Sequence, residues 1–532
     1  MDDSNPLLVD TGRGFSIRYR GRWLYSRHRP DAAAKAALAS TSITPETLYI
    51  LPSPCLCYAL IELLERLPES SAILCVEADV KLMSLTSSVM TDDSRYREAN
   101  GSRLVLCSAD DALAAYRELE ANTAGRFRRA VELSLSGGRA LFESVYAQTL
   151  AGIEHDIGLR FRNRLSLVRM GRLWARNVIS NLGAMDWASI EPFRYDGRPL
   201  VVCGAGPSLD RALSMLKSRR DAITIIACDT ASGALARAGV MPDAVVCLEA
   251  QVYNVGDFLP LNMAPVHLIA DISSHPASFH NVSGPKSLTL SAWTDSAFLS
   301  RLAAAGLPIT TVPALASVGV LALRLARLLG GALIVTGLDF SFNQGKTHCL
   351  GSPADIRARS IQTRLERDSA SWRASFREGV CRAEDSLTDP ALSLYATLAA
   401  DELADSGGYD LRCGLGARLP LTRLDDVGFD TLIADSASRG PAGAIGAYAA
   451  PEINGLTAQA FLSGELARVV SVANALRHGT SDDKLLALLQ DADLLYAHFP
   501  DPERVLDLQP DALRRVAAEA AYWRGRLEAA IG

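Results

Sequence analysis

The chain has 532 residues, with 54 basic and 60 acidic side chains and a formal charge of −6. That length is more than one hydrophobic core holds and implies about two to four domains, and the slightly acidic balance excludes a protein coated for nucleic acid or anionic lipid. The opening "MDDSNPLLVDTGRG" begins with acids and lacks a basic-then-apolar leader, and no apolar run approaches the ~20 residues of a membrane span, so a cytoplasmic protein with no membrane span is expected.

In chain order, the first 150 residues contain "TLYILPSPCLCYALIELLERL" and "SAILCVEADVKLMSLTSS", a strand, a turn, an amphipathic helix and a second strand ending at Glu77. This is a βαβ unit with an acid where nucleotide-binding folds place one for a ribose hydroxyl. The turn "PSPC" has no glycine for close ligand approach, so residues 1–150 read as a degenerate Rossmann-like domain used as scaffold. From about Gly125 to Asn181 the pattern is helical, and 151–190 forms an arginine-rich helical linker carrying Arg160, Arg162, Arg164, Arg169, Arg172 and Arg176. Arg169, Arg172 and Arg176 fall on one face, a stripe expected to be solvated.

Residues 191–445 alternate short apolar strands (199–203, 223–228, 244–248, 266–270, 287–290, 309–312 and 332–336) with helices such as 208–217, 230–238 and 318–329. The alternation predicts an α/β fold with a doubly wound, mostly parallel sheet. A charged stretch at 354–378 is expected to act as a lid or docking element, and 446–532 reads as a helical C-terminal domain. The ten cysteines are scattered, with no CxxC pair and no zinc-type spacing, and read as buried small apolar groups in a reducing compartment.

Ligands in doubly wound sheets sit beyond the carboxyl ends of the strands, so the residues just after each strand are the candidates. After the first central strand comes Gly204-Ala205-Gly206-Pro207-Ser208, a turn that aims a helix N-terminus at a phosphate-sized space. It is neither a Walker loop nor GxGxxG, because no GK[ST] follows and Leu209 replaces the third glycine. Asp229-Thr230 follow the second strand, Glu249 and Gln251 the third, and Asp271, Ser273 and His275 the fourth. Ser317-Val318-Gly319 opens a later helix, and "ALIVT" leads into Gly337-Leu338-Asp339-Phe340, then Lys346, Thr347 and His348.

"VVCGAGPSLD", "ACDTASGALARAGVMPDAVVCLE" and "ASVGVLALRLARLLGGALIVTGLDFSFNQGKTHCLG" resemble the central domain of the motility accessory factor (Maf) family of flagellin glycosyltransferases. The flanking regions fit that family's layout. The same motifs are similar to CMP-dependent bacterial sialyltransferases and to an archaeal 6-hydroxymethylpterin diphosphokinase. The resemblance implies transfer of a nonulosonic acid, pseudaminic or legionaminic in type, from a CMP-activated donor to Ser or Thr of flagellin, with no cofactor. It places nucleotide contacts on Gly204, Ala205, Gly206, Pro207, Ser208, Ser317, Gly319, Gly337 and Phe340, while Asp229, Thr230, Glu249, Gln251 and Asp271 join them as strand-end polar groups. Asp339 is expected beside the anomeric carbon, with His348 as base and His275 second. The sialyltransferases place their histidine farther downstream, whereas here no histidine stands between Cys349 and Arg477. The alternatives are pyrophosphoryl transfer from ATP with Mg²⁺ held by Asp229, Glu249, Asp271 and Asp339, and a flagellin-binding scaffold without chemistry.

Overall fold

"TLYILP" reads as unbroken apolar sequence because both faces of its strand, Thr47–Pro52, are covered: all six residues are buried. A computed structural model describes residues 5–122, 127–365, 369–404, 407–412, 414–436 and 443–532. The chain forms two compact units, 1–166 and 167–532.

In the first unit a four-stranded parallel sheet runs Leu104–Ser108, Ala72–Glu77, Thr47–Pro52, Arg129–Glu132 in space. The last strand corrects the expectation of helix from about residue 125: Arg129–Glu132 pairs with Thr47–Ile50, and the long helix begins only at Glu143. A central strand with an open edge takes a partner there in preference to a weak helical pattern. An antiparallel meander, Leu7–Asp10, Phe15–Tyr19 and Arg22–Trp23, completes the unit.

This sheet has its own topological switch point, between Thr47–Pro52 and Arg129–Glu132, and the chain fills it. Ser53, Cys55, Cys57 and Ala59 all adopt positive φ. Ser136 Oγ donates to the Ser53 carbonyl at 2.5 Å, Tyr25 Oη donates to the Pro54 carbonyl at 2.5 Å, and a Cβ on Gly138 would overlap Ser53 Oγ. Glu77 is buried there. Its Oε1 accepts from Thr86 Oγ1 at 2.7 Å, Oε2 has no partner, and burial pushes the carboxyl pKa up to about 7.

The second unit is built on nine parallel strands, in the spatial order Ile309–Pro313, Lys286–Ala292, His267–Asp271, Ala244–Cys247, Thr224–Cys228, Leu200–Cys203, Leu333–Thr336, Tyr409–Asp410, Thr422–Arg423. All seven strands read from the sequence are present. The chain winds outward from Leu200–Cys203 to one edge and then returns to Leu333–Thr336 on that strand's other side. The crevice between those two strands is the switch point.

Helix Glu143–Ala184 lays its C-terminal part over strand ends on one side of that crevice. Asn177 Nδ2 donates to the carbonyls of Ala250 and Ser273, both at 3.0 Å. Four residues on, Asn181 Nδ2 donates to those of Ile272 and Ser274 at 2.7 and 2.9 Å. Trp174 meets Trp293 with ring centroids 5.6 Å apart. In the expected arginine stripe Arg169 and Arg172 are exposed and Arg176 is half-buried, and Arg172 also pairs with Glu519 at 3.2 Å and lies over the Tyr522 ring. The side chains of Arg160 and Arg162 are outside the described residues.

Helices Pro451–His478 and Pro510–Ile531 close the second unit. The buried Glu465 takes Arg301 in a two-pronged ion pair at 2.7 and 2.9 Å, and Asp493 caps helix Ala297–Ala303 by accepting from the amides of Ala297 and Phe298. Among the described cysteines eight are buried and Cys381 is exposed; Cys413 is outside the described residues. Among the described residues no helix is long and apolar enough to cross a membrane.

Candidate functional site

Three loops converge at the switch point: 204–208 after Leu200–Cys203, 317–319 at the start of helix Val318–Leu329, and 337–340 after Leu333–Thr336. Their contact is backbone on backbone. Gly204 N–H donates to the Thr336 carbonyl at 2.9 Å and Gly206 N–H to that of Gly337 at 2.7 Å. A Cβ on Gly204 would overlap the Gly337 carbonyl oxygen, and Gly337, at φ +67°, stands equally close to Gly204. A Cβ on Gly206 would lie 2.6 Å from Asp339 Oδ2. These glycines let two strand-end turns close on each other, a reason for them that lies inside the protein.

The turns are then locked by a side-chain clamp. Ser208, fully buried, donates Oγ–H to Asp339 Oδ1 in a short hydrogen bond, while its N–H donates to Asp339 Oδ2 at 2.8 Å. Ser208 Oγ also accepts from Gly337 N–H at 2.9 Å. Asp339 is 3% exposed; burial raises its carboxyl pKa, and the Ser208 hydrogen bonds and the Arg412 charge pull against that. The sequence expectation of Asp339 beside the anomeric carbon meets a different arrangement, because both oxygens face Ser208. Behind it, the buried Arg412 grips Asp410 at 2.9 and 3.0 Å and donates to the Leu338 and Ala417 carbonyls. Neither Asp410 nor Arg412 was singled out in the sequence. The only signal was an Asp-x-Arg at the end of a very short strand.

Most amides of the glycine turn are likewise engaged. Those of Gly204, Gly206, Ser208 and Leu209 all donate within the protein, and Pro207 has none. Gly206 itself is half-buried, and Gly204 and Gly319, the latter at the start of helix Val318–Leu329, both close on the Leu338 side chain. There Ser317 caps by accepting from Gly319 N–H at 3.2 Å, and Gly319 packs against Leu338 and Phe340. Phe340 adopts φ 48°, a strained backbone for a bulky residue of the kind that clusters at functional sites.

The loop carrying His348 is tied across the glycine turn. Cys349 N–H donates to the Ala205 carbonyl at 2.8 Å, Leu350 N–H donates to Asp210 at 2.9 Å, and Lys346 Nζ pairs with Asp210 at 2.6 Å. His348 reaches solvent, with Nδ1 3.1 Å from Thr347 Oγ1. Its pKa is lowered, first by desolvation among the surrounding loops and then by the charge of Arg357, a shift toward the neutral ring.

Just past the next strand, Asp229 opens a helix, is 2% exposed, accepts from Thr230 N–H at 2.7 Å and is pushed up to about 7 by burial, with Asp257 and Glu249 adding like charge. Glu249, half-buried, accepts from Gln251 N–H at 3.2 Å, and Gln251 reaches Met170 Sδ at 3.8 Å. Asp271 is fully buried and shared between Ser273, whose N–H and Oγ–H donate to Oδ1 at 2.9 and 2.5 Å, and the Ser291 N–H at 2.6 Å. His275 caps a short turn by accepting from Ala277 N–H at 3.2 Å, with its pKa lowered by burial and then by Arg176. The structure thus brings together 204–208, Asp229, 317–319, 337–340 and His348. Asp271 and His275 belong instead to the strand ends beside Asn177 and Asn181.

For a metal, the four carboxylates named above do not make one set, since Asp271 and Asp339 are held by serines. Among the described residues no three His, Cys, Asp or Glu side chains are grouped to bind an ion. A cavity of about 600 Å³ beside Tyr409, Arg423 and Asp435 is lined by none of the site residues. Ligands of doubly wound sheets bind at the switch point, where the three loops meet, and this cavity lies away from it.

Comparison with known proteins agrees with this fold. Residues 176–345 match a family described as 6-hydroxymethylpterin diphosphokinase MptE-like. An uncharacterized protein of Treponema pallidum (strain Nichols) is 29% identical over 560 residues, covering 97% of this chain and 94% of its own. A second uncharacterized protein of that organism is 36% identical over 85 residues, 16% of this chain and 40% of its own. The solved Maf glycosyltransferase of Magnetospirillum magneticum AMB-1 superposes with a TM-score of 0.53 at 15% identity, over 99% of this chain and 90% of that one. The chain therefore has the fold of a Maf glycosyltransferase, with an MptE-like segment at its centre.

Proposed function

We propose that the protein is a glycosyltransferase that moves a nonulosonic acid, pseudaminic or legionaminic in type, from its CMP ester to Ser or Thr hydroxyls of flagellin, in the cytoplasm. The observation that carries this reading is the convergence of 204–208, 317–319 and 337–340 at one switch point, in a chain sharing its fold with a Maf glycosyltransferase.

In this reading the donor phosphate lies between Gly206 and the N-terminus of helix Val318–Leu329, where the helix dipole stabilises the charge that grows as CMP departs. The bond from the anomeric carbon to the phosphate oxygen breaks, and its electron pair leaves with CMP. The acceptor oxygen bonds to that carbon and gives its proton to His348, whose lowered pKa favours the neutral, proton-accepting ring. Asp339 and Ser208 act as positioning residues that fix the two turns. Asp229, Thr230, Glu249 and Gln251 line the side where the nucleotide and sugar carry hydroxyls and amines.

The MptE-like match favours one second reading, Mg²⁺-dependent pyrophosphoryl transfer from ATP to a pterin alcohol. Incubation of the purified protein with unmodified flagellin and each CMP-nonulosonate, read by intact mass, separates the two. A mass gain of one sugar residue that His348→Ala abolishes supports the proposal; unchanged flagellin, with ATP consumed only when Mg²⁺ and a hydroxymethylpterin are present, overturns it.

A further inference from the structure

The segment after strand Ala244–Cys247 carries a carboxylate with no evident structural employment. Asp257, in the 3₁₀ turn Val252–Leu261, is 2% exposed, and its Oδ1 is buried without a hydrogen-bond partner. Arg357 Nη1, from helix Pro353–Ser360, stands 3.7 Å from that oxygen, beyond hydrogen-bond reach, on a side chain that is 61% exposed. A buried carboxylate is normally both paired and hydrogen-bonded, and this one is only loosely paired.

The surroundings make the vacancy on that oxygen more costly. Asp229 and Glu249 are close enough to repel Asp257, and the loosely held Arg357 opposes that charge. The place is continuous with the site already described. Ser232 Oγ donates both to the Asp229 carbonyl at 2.6 Å and to the Asp257 carbonyl at 3.2 Å, and the charge of Arg357 also reaches His348. Such a wall suits a ligand rich in hydrogen-bond donors, meaning hydroxyls and amide N–H groups, that also carries an anionic group for the arginine.

We propose that Asp257 is a ligand-binding residue whose free Oδ1 accepts a hydrogen bond from a hydroxyl or amide N–H of the donor sugar, while Arg357 turns to the sugar's carboxylate. The inference rests on the CMP-nonulosonate reading and adds to it a sugar subsite distinct from the nucleotide contacts.

Calorimetry with CMP, CMP-N-acetylneuraminic acid and CMP-pseudaminic acid tests it on wild type, Asp257→Ala, Asp257→Asn and Arg357→Gln. CMP affinity stays within about twofold in every variant, since the base and phosphate lie elsewhere. For the tighter CMP-sugar, Asp257→Ala and Arg357→Gln weaken binding by about tenfold or more, the usual effect of losing a hydrogen bond to a charged group. Asp257→Asn, which keeps a carbonyl acceptor, falls between. If Asp257→Ala does not fold, the isosteric Asn variant and the exposed Arg357→Gln carry the test. Unchanged CMP-sugar binding in these variants overturns the subsite while leaving the donor reading intact. Failure of wild type to bind CMP or either CMP-sugar overturns the donor reading and the subsite with it.

Discussion

Replacing Ser208 by Ala removes two interactions at once. Asp339 Oδ1 loses the Oγ–H donor, and Gly337 N–H loses its acceptor, both in a place closed to water. A hydrogen bond to an ionised carboxylate contributes about 1.5–3 kcal/mol, and an orphaned buried amide costs about 1–3 kcal/mol, so the expected loss is about 3–5 kcal/mol. The remaining Ser208 N–H to Asp339 bond keeps the loss toward the lower end. Trp174, Trp187, Trp293, Trp372 and Trp523 all lie in 167–532, so urea unfolding followed by tryptophan fluorescence reports on the right unit. A cycle with Asp339→Ala isolates the pair, with a coupling of about 2 kcal/mol or more expected. If Ser208→Ala shifts stability by less than about 1 kcal/mol and shows no coupling to Asp339, the clamp is not what joins the turns. Because Ser208 favours the ionised carboxyl, the loss is smaller at acid pH, where Asp339 is protonated in either protein.

Gly206→Ala places a methyl 2.6 Å from Asp339 Oδ2 and 2.7 Å from the Gly337 carbonyl oxygen, so it should break the turn and abolish nucleotide binding, readable as lost thermal protection by CMP. Glu77, whose folded pKa of about 7 is above its ordinary 4.5, keeps a proton that the unfolded chain has released. Its contribution therefore falls as pH rises from about 4.5 to about 7 and then levels off, a total of about 3 kcal/mol. Glu77→Gln should remove that slope from the unfolding of the first unit, and an unchanged slope would assign it to another group. Asn181→Ala leaves the carbonyls of Ile272 and Ser274 without their donor and should cost about 2 kcal/mol in urea. If the stability of Asn181→Ala equals that of wild type, Asn181 does not help hold the helix, which is then anchored by Asn177 and its apolar face.

Much of the central sheet was legible because strand signals and spacing are local. Each of "LVVC", "TIIAC", "AVVC" and "LIVT" is fully buried, so apolar run and strand coincide. The convergence of 204–208, 317–319 and 337–340 followed from parallel winding, whereas Asp271 and His275, read into the same site, fall at the strand ends beside Asn177 and Asn181. What the residues do there was less legible. Gly204, Gly206 and Ser208 suggest an anion cradle as a string, yet their partners, Thr336, Gly337 and Asp339, stand about 130 residues away in sequence. Pairing across such a distance is not written in the local pattern. The same holds for Arg412 under Leu338, and for Asn177 and Asn181, which read as polar positions on a helix until the carbonyls they satisfy are placed. The strand Arg129–Glu132 was missed because four residues carry too little periodicity to outweigh the neighbouring helical pattern.

In the proposed function a CMP-activated sugar occupies the crevice between Leu200–Cys203 and Leu333–Thr336. Titration calorimetry of the whole chain with CMP in EDTA tests it most directly, with Gly206→Ala as control. The expected result is one CMP per chain without metal and none in the variant. Absence of CMP binding to wild type, with ATP bound only when Mg²⁺ is supplied, would contradict it.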